Sequence, residues 1–337
     1  SSINQAGQSS DFASGAMPSL MPGTPELPCI PADVDFLMGT FTNSQGLQLQ
    51  TYRFMLRGQR PAGMVWLCHG CATHTFFDWL LPSAPGEPHD VWKGSVLRGL
   101  VDAGYLVCTL DQQGHGRSDA LRGKRCFFER FDDFPNEALA YITTVLLEEP
   151  ALRGLSLFVL GVSMGGATAV RMAQAMPELF RGVVLYSPML SLEQMKKQRL
   201  FACIKNGHVA WVADLLNYLI PTVPLIKAAK NTAFPLWQKE FDEDALNYHG
   251  DIYVRMATEF NAITDAFMAG GLREMSVPFV TFHSVRDTLT DPLGSQTLLD
   301  MAQSSDKAYL EVGVGRAIDL DIWHSLCSEH GSEVVLG

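Results

Sequence analysis

The sequence predicts an α/β fold, a mostly parallel sheet flanked by helices with an inserted helical lid, and three observations carry it. Short apolar runs alternate with longer helix-period segments from about residue 50 onward. The runs are apolar on both faces and rich in Val and Leu, as in strands covered from both sides. Between about 189 and 262 the alternation stops and the pattern reads helical, with prolines at 221, 224 and 235 and no strand-like run.

The elements follow in order. Residues 1–32 are rich in Ser, Gly, Ala and Pro and read as a disordered or extended leader. The first 52 residues contain no Lys or Arg, so neither a secretory signal nor a transit peptide is visible, and the initial Ser leads us to expect that an upstream segment has been removed. Strands are expected at 51–56, 64–68, 105–111, 155–161, 182–187, 277–283 and 308–313. Helices are expected at 92–104, 133–148, 164–176 and 293–303. The division is therefore leader 1–32, core 33–188, lid insertion 189–262 and second core part 263–337, whose closing helix is expected to be cut short.

Composition excludes several function classes. The chain of 337 residues is 47% hydrophobic and carries a net charge of −11, with no Lys/Arg stripe to neutralise phosphates, so nucleic acid is not expected as a partner. No window approaches ~18 uninterrupted apolar residues, the length a membrane span needs. Seven scattered cysteines, an odd number in a chain of this size, suit free thiols in a reducing intracellular compartment, cytoplasmic or organellar. Oligomeric state is not legible.

The chemistry is announced by Gly161-Val-Ser-Met-Gly165, followed by Gly166 and a small-residue helix. Between strand and helix, G-x-S-x-G forms a sharp turn that presents the Ser163 hydroxyl at the carboxyl edge of the sheet. The Met164 N–H then lies at a helix N-terminus, where donors are unpaired and the field favours an anion.

A serine needs a base, and the base needs an acid to orient it. The expected chain order is Ser, Asp or Glu, His. Asp287 follows the strand ending at His283, and His324 follows the last strand, so Ser163, Asp287 and His324 fit the order. Asp291, Asp319 and Asp321 are alternative acids; His208 and His249 in the lid, and His330, are alternative bases.

With these pieces the chain resembles the monoacylglycerol lipase-like branch of the α/β-hydrolases, including plant lysophospholipase and caffeoylshikimate esterase-like members. The matching segments are FTNSQGLQLQTY, LCHGCATH, LDQQGHGRSD, GVSMGG, YSPM, HSVRDTLTDP and IWHSL, spread over residues 40–327. The resemblance implies Ser163 as nucleophile, Asp287 as acid, His324 as base and a lid that admits a single acyl chain. It also implies that LCHGC is the oxyanion loop, with the Cys71 N–H facing that of Met164, and that Asp111 and His115 organise a structural turn. The chain departs from the family in having His283-Ser284 where a His-Gly is usual, and a long link, GVGRAIDLDIWH, before His324.

Cys68 and Cys71 form a C-x-x-C, but Cys68 ends a strand rather than opening a helix, and no second pair completes a zinc site. No His or carboxylate pair sits at ligand spacing on one helix and no phosphate-cradling glycine motif appears, so no metal is expected, and the expected hydrolysis requires no cofactor. Within 190–239, seven basic residues (196, 197, 199, 205, 227, 230, 239) against Glu193 and Asp214 give a net +5 among apolar residues. Such a lid suits peripheral contact with an anionic membrane surface, or equally a solvated face over the pocket. The expected activity is hydrolysis of carboxylic esters of acyl lipids, monoacylglycerol or lysophospholipid, through an acyl-enzyme. The rival is a catalytically silent binding or scaffold subunit with the same fold.

Overall fold

The computed structural model describes residues 25–197, 217, 220–226, 231, 233–329 and 332. Its strands are β1 (Val34–Thr42), β2 (Gln48–Leu56), β3 (Gly63–Cys68), β4 (Leu81–Pro82), β5 (His89–Val91), β6 (Tyr105–Leu110), β7 (Leu157–Val162), β8 (Phe180–Tyr186), β9 (Pro224–Ile226), β10 (Ile252–Tyr253), β11 (Phe279–Ser284) and β12 (Lys307–Val312). Eight of them form one sheet in the order β1-β2-β6-β3-β7-β8-β11-β12. Only β2 runs against its neighbours, β1 and β6; every pairing from β6 to β12 is parallel.

The seven expected strands all lie in this sheet. Their double-sided apolarity has the anticipated cause. Along β3, Met64, Trp66 and Cys68 enter one core cluster while Val65 and Leu67 enter the other. One strand thus serves two hydrophobic layers, each covered by helices.

The helices are α1 (Thr75–Trp79), α2 (Val96–Asp102), α3 (Asp133–Tyr141), α4 (Met164–Ala175), α5 (Glu193–Lys197), α6 (Pro235–Glu243), α7 (Val254–Met268) and α8 (Pro292–Met301). A turn of π-helix, Ile142–Leu146, continues α3.

The insertion differs from expectation in two respects. It contains strands, since β9 and β10 pair as a short antiparallel ribbon. In addition, α7 runs unbroken across residue 262, with Met256, Phe260 and Phe267 packed into the main core. Residues 1–24 of the expected leader lie outside the described residues. The rest of it forms neither helix nor strand, with Leu27 and Ile30 against the core and the Pro25 carbonyl accepting from Arg117 Nη2 at 2.7 Å. Most of the basic lid also lies outside them, including Arg199, Lys205, Lys227, Lys230, Phe201 and Trp211, as do His208 and His330.

Candidate active site

Ser163 sits at the junction of β7 and α4 with φ 54° and ψ −120°, a conformation L-residues rarely hold. Three hydrogen bonds to its carbonyl impose it, from Gly166 N (2.9 Å), Ala167 N (3.3 Å) and Met189 N (2.8 Å). The flanking glycines are required by space. A Cβ on Gly161 would lie 2.2 Å from the Gly165 carbonyl oxygen, and one on Gly165 would lie 2.0 Å from the Cys68 carbonyl oxygen. The turn thus packs directly on the end of β3.

Asp287 and His324 are brought together across the carboxyl edge of the sheet. His324 Nδ1 donates to Asp287 Oδ2 at 2.6 Å, which leaves Nε2 free of that proton. The carboxylate is buried and richly bonded. Oδ1 accepts from Leu289 N (2.8 Å) and Thr290 N (3.0 Å), and Oδ2 also accepts from Thr290 Oγ1 (2.8 Å). His283 Nε2 lies 3.2 Å from the same oxygen, its Nδ1 being held by Ser295 Oγ at 2.8 Å.

Burial disfavours the Asp287 charge, yet the His324 charge and hydrogen bonds from His283 and His324 hold the carboxyl below its usual range. Burial likewise opposes the His324 imidazolium, but the charge and hydrogen bond of Asp287 raise it above the ordinary 6.5.

The departure at Ser284 has a structural use. Its hydroxyl donates to the Ile322 carbonyl at 2.6 Å and accepts from Arg286 N at 3.1 Å, joining the acid loop to the histidine segment. Sequence reasoning missed Glu329, whose carboxylate accepts from the N–H groups of Trp323, His324 and Ser325. No motif marks it; only its position five residues past the histidine could have drawn notice.

The other acids have separate duties. Asp291 caps α8 through Leu293 N (3.0 Å), Asp319 accepts from Gly315 N (3.1 Å), and Asp321 pairs with Arg286 (2.6 Å). His249 bonds the Phe241 carbonyl at 2.9 Å within the insertion.

The loop after β3 closes on Ser163: a Cβ on Gly70 would lie 3.5 Å from Ser163 Cβ. Buried Asp78 holds this loop, accepting from Gly70 N (2.6 Å) and Thr73 Oγ1 (2.7 Å). His69 donates through Nδ1 to the Gly70 carbonyl (2.8 Å) and accepts at Nε2 from Gln112 N (2.9 Å), a neutral tautomer that burial enforces by lowering its pKa to about 3. Asp111 ties the same region together, accepting from Thr75 N, Arg117 N and Tyr52 Oη. Cys68 packs in the core at 3.8 Å from Met172 Sδ, and Cys71 points elsewhere, toward Cys126.

Residues 244–248 dock on this loop. Tyr248 N donates to the Ala72 carbonyl (2.8 Å), and His74 Nε2 lies 3.1 Å from Asp244 Oδ2. Farther out, Glu240 of α6 bonds His89 Nε2 (3.0 Å) and Gly86 N (2.6 Å). Trp237 of α6 meets Trp323 edge-on with centroids 5.1 Å apart, placing an aromatic wall beside His324.

A mostly parallel sheet with a strained serine at a strand–helix turn and a bonded carboxylate–imidazole pair defines the α/β-hydrolase class. The family model described as serine aminopeptidase, S33, matches residues 89–313, and the chain belongs to that family, in its monoacylglycerol lipase-like branch. The matched stretch includes Ser163 and Asp287.

The chain is similar to human monoglyceride lipase, 26% identical over 254 residues that cover 73% of this chain and 72% of that protein. It is also similar to caffeoylshikimate esterase of Arabidopsis thaliana, 27% identical over 296 residues, 86% of this chain and 80% of that one. A soluble variant of Saccharomyces cerevisiae monoglyceride lipase, solved with a substrate analog, shares the fold with a TM-score of 0.67 at 18% identity, over 94% of this chain and 95% of that structure. The chain is a carboxylic ester hydrolase. Among the described residues no helix is long and apolar enough to cross a membrane.

Proposed function

We propose that the chain hydrolyses single-chain acyl esters, monoacylglycerol or lysophospholipid, through Ser163, Asp287 and His324. The bond between His324 and Asp287 carries the reading, since it fixes the tautomer in which Nε2 can take a proton. His324 removes the Ser163 proton as the hydroxyl attacks the ester carbonyl. The Cys71 and Met164 N–H groups receive the oxyanion, a contribution worth about 10²–10³ in turnover per donor. The imidazolium then protonates the departing alcohol, and a water activated by the same histidine releases the acid.

Asp287 orients the ring and stabilises its charged form. The acyl-chain preference is supported by the aromatic wall of Trp237, Phe241 and Trp323 and by what the names of the relatives state of those proteins. A fluorophosphonate probe should label wild type and spare Ser163→Ala. A panel of acyl esters with matched head groups then ranks substrates. Unlabelled, folded wild type would return the protein to the silent binding reading.

A further inference from the structure

We propose that Cys71, His115 and Cys126 form a binding site for a thiophilic divalent cation, zinc above all, beside the loop that approaches Ser163. The loop after β3 supplies Cys71 and the long β6–α3 connection supplies His115 and Cys126, and their ligand atoms all lie within 4.8 Å of one another. Cys71 Sγ and Cys126 Sγ are 3.6 Å apart, and His115 Nε2 is 3.3 Å from Cys126 Sγ. Tetrahedral zinc, with Zn–S about 2.3 Å and Zn–N about 2.0 Å, sets donor edges of about 3.8 Å for S–S and about 3.5 Å for S–N. Two edges of a zinc tetrahedron therefore stand nearly complete.

The imidazole is oriented as a ligand should be. Its Nδ1 donates to the Gln113 carbonyl at 2.9 Å, which leaves the Nε2 lone pair facing the sulfurs. Metal-bound histidines characteristically give their other N–H to such a carbonyl.

The frame is also rigid. Cys126 N donates to the Gly114 carbonyl (2.8 Å), and the Arg125 guanidinium bonds the Ser118 and Gly116 carbonyls (2.7 and 2.5 Å). Cys126 itself has φ 61°, and Ala72, next to Cys71, has φ 65°. Non-glycine residues held at positive φ gather at ligand clamps and other functional sites. His115 and Cys126 are buried, whereas Cys71 is partly exposed, so the cation enters, and finds its fourth ligand, on the Cys71 side.

The donor set selects the cation. Two sulfurs and an imidazole suit zinc, cobalt or cadmium and offer magnesium or calcium nothing. Binding transfers two thiol protons to solvent, and the two thiolates balance the divalent charge. No redox step is involved.

The test uses the reduced full chain, stripped by chelator and titrated with Co²⁺ and then Zn²⁺. One equivalent of Co²⁺ should produce a thiolate-to-metal absorption band that Zn²⁺ bleaches. Cys71→Ser, Cys126→Ser and His115→Gln should each weaken binding about 10–100-fold. Ser163→Ala and Cys29→Ser should bind as wild type does, which separates this site from the hydrolytic one and from an exposed thiol. Circular dichroism verifies that each variant is folded. Absence of the band in reduced wild type would overturn the proposal, as would its survival in the Cys71→Ser/Cys126→Ser double variant. A Cys71–Cys126 disulfide in freshly purified, unreduced protein free of metal would overturn it too.

Discussion

Glu329 holds His324 in place through the main chain: its Oε1 accepts from His324 N at 2.9 Å and from Ser325 N at 2.7 Å, while Oε2 accepts from Trp323 N at 3.1 Å. Three consecutive amides around the proposed base thus converge on one buried carboxylate. Removing it frees the segment that carries the ring, and a displacement of about 1 Å can cost 10²-fold in rate. Glu329→Ala should therefore lower kcat about 10²-fold in a protein that still folds, with KM little changed. Glu329→Gln, which keeps one acceptor oxygen, should fall between. Steady-state kinetics on a soluble ester checks this; an unaltered kcat in Glu329→Ala would remove the residue from the positioning of His324.

Asp287→Asn keeps the volume of the acid and removes its charge. The amide can present its N–H₂ to the ring and select the wrong tautomer, as in other triads where this exchange costs about 10⁴ in kcat. A loss smaller than tenfold would assign the orienting task to another group.

The pH profile follows from the direction of the His324 shift. The proposed base must be neutral to act, and the Asp287 charge raises the imidazole above 6.5. Activity should thus fall as pH drops through that raised value, so the acid limb of kcat/KM lies above 6.5. Asp287→Asn should move the limb of the residual activity downward. A wild-type limb below 6.5 would contradict the assignment.

Glu137 makes a separate prediction about stability. Burial raises its carboxyl from 4.5 to about 8. Between those values the folded state keeps a proton that the unfolded state has released, so stability declines as pH rises from 4.5 to about 8 and is level above it. The slope can reach about 1.4 kcal/mol per pH unit. Glu137→Gln retains the Asn43 contact with its carbonyl oxygen and should flatten this decline in urea melts recorded across the window.

Cys71 contributes its amide to the proposed oxyanion site, not its sulfur. Cys71→Ala should keep most of the activity, whereas a bulky thiol reagent should inhibit wild type and spare the variant. Equal inhibition of both proteins would place the sensitive thiol elsewhere.

What the sequence makes legible depends on how local the cause is. β3 and β7 are buried on both faces, so their apolar runs announce them. β1, at the sheet edge, mixes exposed and buried positions and is not announced as a strand. β9 and β10 have three and two residues, too few for any period to show. The serine turn is readable because its glycines answer a steric demand within five residues.

The long link before His324 looks like a disturbance in sequence. In space it folds back on itself, with Val312 bridging Ile318 and the histidine segment pinned by Ser284 and Glu329. Likewise, spacing rules test for metal ligands along one helix or motif. They are blind to Cys71, His115 and Cys126, which meet only because the loops after β3 and β6 and the segment at Cys126 converge.

The bonds from Tyr248 to Ala72 and between Asp244 and His74 have a consequence for the loop beside Ser163. They join residues 244–248 to the segment just past Cys71, whose amide we propose as an oxyanion donor. Breaking them would leave the Ala72 carbonyl and the His74 ring without these partners, so the shape of the loop beside Ser163 depends on a segment about 170 residues further along the chain.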